Sequence, residues 1–173
     1  MTEQQPYTVI RTLEQFEVRS YPAHMLVQVN VRGGLDSGAG AGFGPLFRYI
    51  SGANQSQRSF AMTAPVLQQR TGEQEQTVSF VLPAGVGATN APAPTDPRVR
   101  TMGVEPRVVA ARRFRGSARG RSFTDQGKQL ITAVQAAGLE PIGEAYYARF
   151  DPPWMPGFLR HNEALVEVTA AAS

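Results

Sequence analysis

The sequence predicts an α+β fold with a pseudo-twofold plan, in which a strands–helix–strands unit occurs once in each half of the 173 residues. Three observations carry this. Apolar and polar residues alternate with period two on both sides of two helical patterns. Those helices, near residues 45–52 and 122–137, alternate with strands too rarely for a doubly wound parallel sheet. The composition, 42% apolar and 18% charged, is that of a chain able to bury a core. The length suits one domain over 1–173, with loose ends expected at 1–6 and 170–173.

The elements follow in order. Tyr7, Val9 and Arg11 alternate with Thr8 and Ile10; Phe16 and Val18 alternate with Glu17 and Arg19. The short segment around Leu13-Glu14-Gln15 makes these a hairpin, closed at Tyr21-Pro22 because proline cannot donate to a ladder. The next strand sets Met25, Val27, Val29 and Val31 on one face and His24, Leu26, Gln28, Asn30 and Arg32 on the other. A glycine-rich stretch, Gly33 to Gly44, reads as a flexible lip. It leads into a helix from Pro45 to Gly52, with Phe43, Leu46, Phe47 and Ile50 as its apolar stripe. Pro45 suits a first turn and Gly52 a stop. Neither GK[ST] nor a sound GxGxxG register accompanies the glycines, so they are not a phosphate cradle.

Ser59–Val66 and Thr77–Pro83 read as strands, and Ala84–Pro97 as a loop. Strands at Val99–Met102 and Arg107–Phe114 begin the second half. The second helix, Ser122 to Ala137, has Ser122 or Thr124 as cap, Phe123, Leu130, Ile131 and Val134 as stripe, and Gly138 as its end. Glu144–Phe150 and Glu163–Thr169 are the last strands.

Composition excludes several functions. Without cysteine there is no thiol nucleophile, iron–sulfur cluster or cysteine-bound zinc, and two histidines cannot make a histidine-rich metal centre. No apolar run reaches membrane-spanning length and no signal-peptide pattern opens the chain, so a cytoplasmic location is expected. Lys128 is the only lysine among seventeen basic residues. The arginine run from Arg112 to Arg121 looks like a nucleic-acid patch. It continues from a strand, however, on which Arg113 and Arg115 share one face, so no nucleic-acid partner is expected.

Several segments together resemble the SOUL / haem-binding protein family. They are Phe16–Pro22, Tyr49–Asn54, Met62–Val66, Phe80–Pro83, Pro92–Pro94, Tyr146-Tyr147 with Asp151–Pro153, and Arg160–Glu163. Their order spans about Tyr7 to Val168. The resemblance implies a distorted antiparallel β-barrel flanked by two helices, binding haem or a related tetrapyrrole. It also implies kinship with effector-binding domains of bacterial transcription regulators. In members without an axial histidine, the ligand lies against the first helix, with a basic residue meeting the propionates; the matching positions are Phe43, Phe47 and Arg48. The chain departs from the family pattern twice: Ser20 stands where histidine-ligating members carry their ligand, and the first helix is approached through glycines.

The expected cofactor-binding set is therefore Phe43, Phe47, Arg48, Ile50, Met62 and Met155, with haem held weakly or reversibly. For iron, His161 and then His24 are the imidazoles available. The strand faces they share, with Glu163 and Glu167 or with Gln28 and Asn30, read as solvated, and Ser20 is a poor ligand. The leading function is non-enzymatic binding for transport, buffering or sensing. An enzyme turning over a hydrophobic ligand lacks GxSxG, HExxH and a cysteine nucleophile to support it. An effector-sensing or protein-interaction module, with an unidentified protein partner, is the third reading.

Overall fold

The computed structural model describes residues 2–35, 38–116, 120–151, 156 and 159–169. The first elements are β1 (Glu3–Gln4), β2 (Thr8–Thr12), β3 (Glu17–Tyr21), β4 (His24–Arg32), α1 (Gly38–Ile50), β5 (Thr63–Ala64), β6 (Val66–Gly72) and β7 (Glu75–Val81). They are followed by β8 (Val99–Val104), β9 (Arg107–Arg115), α2 (Gly120–Ala136), β10 (Pro141–Arg149) and β11 (His161–Val168). Contacts divide the chain into two units: unit 1 runs to Gln5 and over Ala23–Glu105, and unit 2 takes Pro6–Pro22 and Pro106 onward.

In unit 1 the antiparallel order is β6-β7-β4-β8, and β1 pairs in parallel with β5, Glu3 opposite Thr63 and Gln4 opposite Ala64. Val27 faces Phe80 and Thr101 across the ladder, and Val29 faces Val78 and Val99. This row meets α1. Met25, Val27, Val29, Leu46, Tyr49, Ile50, Val78 and Phe80 form one buried core.

In unit 2 the antiparallel order is β2-β3-β9-β11-β10. Phe123, Leu130 and Val134 on α2 are fully buried, and Phe123 meets Phe114 and Tyr147 with ring centroids 5.4 and 5.2 Å apart. Gly138, at φ 79°, ends the helix, and the Leu139 N–H returns to the Val134 carbonyl at 3.1 Å, as its sequence signals required.

The α+β class with two helices is as expected, but the expected distorted β-barrel is not found, because the sheet does not close. Among the described residues β2 pairs only with β3, and β8 only with β4, so the strand order has free ends. A bulge between Val9 and Arg11 breaks the regular row of backbone donors that a closing strand needs.

Helix α1 also departs from expectation. It starts at Gly38, so Gly38, Gly40, Gly42 and Gly44 lie within it, and Pro45 is interior rather than in a first turn. Packing overrides the propensity cost, because one stripe of Gly42, Pro45, Leu46, Tyr49 and Ile50 is buried. A Cβ on Gly42 would stand 2.7 Å from the Val78 Cβ, so a glycine lets this helix sit close on β7. The buried stripe includes Tyr49 in place of Phe43 and Phe47, which are rotated to the exposed side. Likewise, the strand expected over Ser59–Val66 is present only from Thr63, as β5, and resumes after Pro65 as β6.

Candidate functional site

The outer side of α1 carries the stripe Gly40, Phe43, Gly44 and Phe47 at helical spacing. Phe43 is 42% exposed and Phe47 48%. Their rings are near parallel, 14° between planes and 5.7 Å between centroids, and Phe43 meets the buried Phe80 edge-on at 5.4 Å. A Cβ on Gly40 would touch nothing within 4 Å, and one on Gly44 only the Arg48 guanidinium at 3.5 Å. The aromatic pair therefore stands above a low helix surface, with exposed Arg48 beside it in the last turn.

Around that face, Asp96 and Arg98 neutralise one another through hydrogen bonds of 3.1 and 2.8 Å. The hydrogen bonds from Arg98 hold the Asp96 carboxyl down to about 2, and the charge of Arg48 adds to the effect. The Arg98 fork is thus occupied by its own neighbour, whereas Arg48 forms no such bidentate bridge among the described contacts.

The other expected site residues are placed differently. Ile50 is buried in the unit 1 core, and Met62 packs half-buried against that core. Met155, with Trp154 and Phe158, lies outside the described residues. The inner side of α1 is filled by Leu46, Tyr49 and Ile50 against Val27, Val29 and Val78, so within unit 1 its outer face is the open one.

His24 does not share this face. His24 alternates away from Met25 and Val27, the residues that meet α1. Its strand face is not the solvated one expected: Leu26 and Gln28 on it are buried, and the Gln28 amide donates to Ser79 at 3.0 Å. His161 lies in unit 2, where its ring stacks on Phe150 at 4.5 Å. Its backbone N–H donates to the Asp151 carboxylate. Among the described residues no group of three or more acidic or histidine side chains could hold a metal ion.

His161 instead borders an arrangement that sequence reasoning missed. Glu163 is not solvated; only 1% of its side chain is exposed. The Arg19 guanidinium, equally buried, donates to its two carboxylate oxygens at 2.7 and 2.6 Å and to the Tyr21 hydroxyl at 3.0 Å. Tyr7 lies over the guanidinium at 4.1 Å, and His161 Nε2 is 3.6 Å from Glu163. Burial alone would raise the Glu163 carboxyl, but its bonds and charge contacts with Arg19 and His161 hold it down to about 2. Strand alternation leaves Arg19 and Glu163 as ordinary surface positions, and no spacing rule joins residues 144 apart.

Two of the family-like segments also hold the fold together. The Tyr49 hydroxyl donates to the Pro92 carbonyl at 2.6 Å. The Asn54 amide donates to the carbonyls of Tyr49 and Arg58, and the Gln55 N–H to Ala93. Tyr49–Asn54 and Pro92–Pro94 thus lock the end of α1 to the following loop.

A sequence model of the family described as "SOUL heme-binding protein" matches residues 2–167. No curated protein matches the chain. Among solved structures, the EcmrR C-terminal domain is similar at TM-score 0.66 and 13% identity, over 91% of this chain and 98% of that one. A hydrolase from Listeria innocua is similar at TM-score 0.62 and 9% identity, over 92% and 94%. SAV2435, solved bound to tetraphenylphosphonium, is similar at TM-score 0.52 and 8% identity, over 90% and 94%. At such identities the likeness is one of fold.

Proposed function

This chain belongs to the SOUL heme-binding protein family, and from that premise we propose that it binds haem or a related tetrapyrrole on the outer face of α1. The exposed, near-parallel pair of Phe43 and Phe47 is the observation that carries the reading. Two half-open aromatic rings on a soluble protein's helix are an unsatisfied apolar surface of the kind that marks a binding site. A flat, apolar macrocycle with carboxylates on one edge matches such a face when a guanidinium flanks it, and Arg48 does. Haem, when bound, would supply the coloured, redox-capable ring; the chain's part is to bind and orient it.

Contact area sets the grip. Covering on the order of 300 Å² of apolar ligand surface contributes about 7 kcal/mol. Lost rotational and translational freedom offsets much of that. An exposed arginine–carboxylate pair adds about 0–1 kcal/mol, so Arg48 mainly sets orientation. Binding at micromolar concentrations or weaker suits reversible transport, buffering or sensing in the cytoplasm, without catalysis. Ile50 seats the helix, Met62 supports the core behind it, and Met155 completes the proposed set.

Two further readings belong with this one. Units 1 and 2 alternate along the sequence, which supports treating 1–173 as one domain. Each unit contains a strand, a helix and an antiparallel hairpin, in the order β6-β7-β4 or β10-β11-β9, which supports a duplicated plan. The basic side chains do not favour nucleic acid, because Arg19, Arg107 and Arg112 are held by Glu163, Tyr146 and glutamines of the protein itself. Titrating hemin while following the Soret band tests the reading. A saturable change is expected; its absence would overturn the site.

A further inference from the structure

We propose that Phe80 on β7 is a positioning residue of the haem site: it fixes the tilt of the Phe43 ring, and through it the aromatic plane that α1 offers to the macrocycle. The inference rests on the haem-binding reading above and adds to it a buried residue that acts through another.

Phe43 is half in water, which leaves it room to turn, and a helical aromatic side chain has two common χ1 wells to choose from. Phe80 has no such freedom. It is 2% exposed, lies opposite Val27 and Val66 in the ladder, and shares a core with Leu46, Tyr49 and Ile50 of α1. The rings of Phe43 and Phe80 meet at 64° with centroids 5.4 Å apart. In this edge-to-face geometry the positive rim of one ring rests against the negative face of the other. The contact depends on angle as well as distance, so it favours one tilt of Phe43.

That tilt matters to a flat ligand. Phe43 and Phe47 are one helical turn apart, and their planes agree to within 14°. A rigid macrocycle lies along both rings only while that agreement holds. A Phe43 free to turn would have to be ordered again at each binding event, which weakens affinity. The contacts therefore run from Phe80, fixed by the core, to Phe43 and on to Phe47, all within unit 1.

The test is a hemin titration of the full chain with two readouts. Soret absorbance gives affinity, and the induced circular dichroism of the Soret band reports how nearby aromatic rings are oriented. Phe80→Leu keeps an apolar side chain in the core but removes the ring. It is expected to weaken hemin binding about two- to tenfold and to change the shape of the dichroic band. In a Phe43→Leu background the same change is expected to add almost nothing, since Phe80 acts through Phe43. Val99→Ala, a deletion in the same core, is expected to leave both readouts at their wild-type values. Phe80→Ile carries the same expectations should the leucine variant not fold. Unchanged affinity and dichroism in Phe80→Leu, additive losses in the double variant, or an equal loss in Val99→Ala would overturn the positioning role while leaving the site standing. Absence of saturable binding by the wild type would overturn the haem-binding reading beneath it.

Discussion

Arg19 on β3 and Glu163 on β11 grip one another across the intervening β9, through two hydrogen bonds of 2.7 and 2.6 Å, with both side chains 1% exposed. In the strand register, Arg19 lies opposite Val109 and Glu163 opposite Arg113, so the pair spans the row of Ala111. The small alanine side chain leaves room for that diagonal. Tyr7 and Tyr21 enclose the guanidinium. The pair thus binds three strands of unit 2 through side chains as well as ladders.

Breaking this pair leaves the buried Arg19 cation with the partly exposed Glu17, 3.1 Å from its Nε, as its remaining carboxylate. Glu163→Gln is expected to destabilise the protein by about 3–5 kcal/mol in denaturant melts. Replacing both partners with apolar residues of similar volume is expected to recover much of the loss, since no stranded cation then remains.

The same carboxylate makes stability depend on acid. Its value in the folded protein, about 2, lies below the ordinary 4.5, so its contribution is fully present above the unfolded range. It is lost as pH falls from about 5 through about 2, where the folded carboxylate takes up its proton. Thermal melts over that window should fall steeply for the wild type and less so for Glu163→Gln. Exposed Asp96 titrates low as well and is common to both proteins, so their difference isolates Glu163.

Close seating of α1 on β7 depends on the missing Cβ at Gly42. Gly42→Ala would place a methyl group 2.7 Å from the Val78 Cβ. It is expected to cost roughly 1–3 kcal/mol despite alanine's better helix propensity. Adding Val78→Gly, which removes the Val78 Cβ itself, should return part of the loss; additive losses in that double variant would show that the clash is not the cause.

Tyr49→Phe should cost about 1–2 kcal/mol, because it strips the Pro92 carbonyl of its buried donor. Calorimetry of the two proteins measures it, and proteolysis in the 84–97 loop should become faster as the lock on α1 loosens.

Much of the fold was legible in period-two and helical patterns. The β4 alternation and the α2 stripe of Phe123, Leu130 and Val134 were read directly. The start of α1 was not, because glycine propensity argues against a helix and only the approach to Val78 explains Gly42. Of its expected stripe Leu46 and Ile50 are buried, whereas Phe43 and Phe47, more apolar than Gly42 and Tyr49, give way to that pair because tertiary packing sets the helix's rotation. Closure of the sheet was also beyond reach, since it depends on edge strands rather than on pattern. For the site, Phe43, Phe47 and Arg48 came from the family resemblance, and the structure adds their exposure. The Arg19–Glu163 pair was hidden, because its members are 144 positions apart and each looks like a surface charge.

The most direct measurement of the central claim is hemin affinity in the wild type, in Phe43→Asp and Phe47→Asp, and in Ile142→Asp as an equally exposed control on unit 2. Both phenylalanines are half in water, so these changes should leave thermal stability nearly intact. Affinity is expected to fall at least about tenfold for either phenylalanine variant and to stay unchanged for the control. Undiminished hemin binding by folded Phe43→Asp and Phe47→Asp would contradict the account.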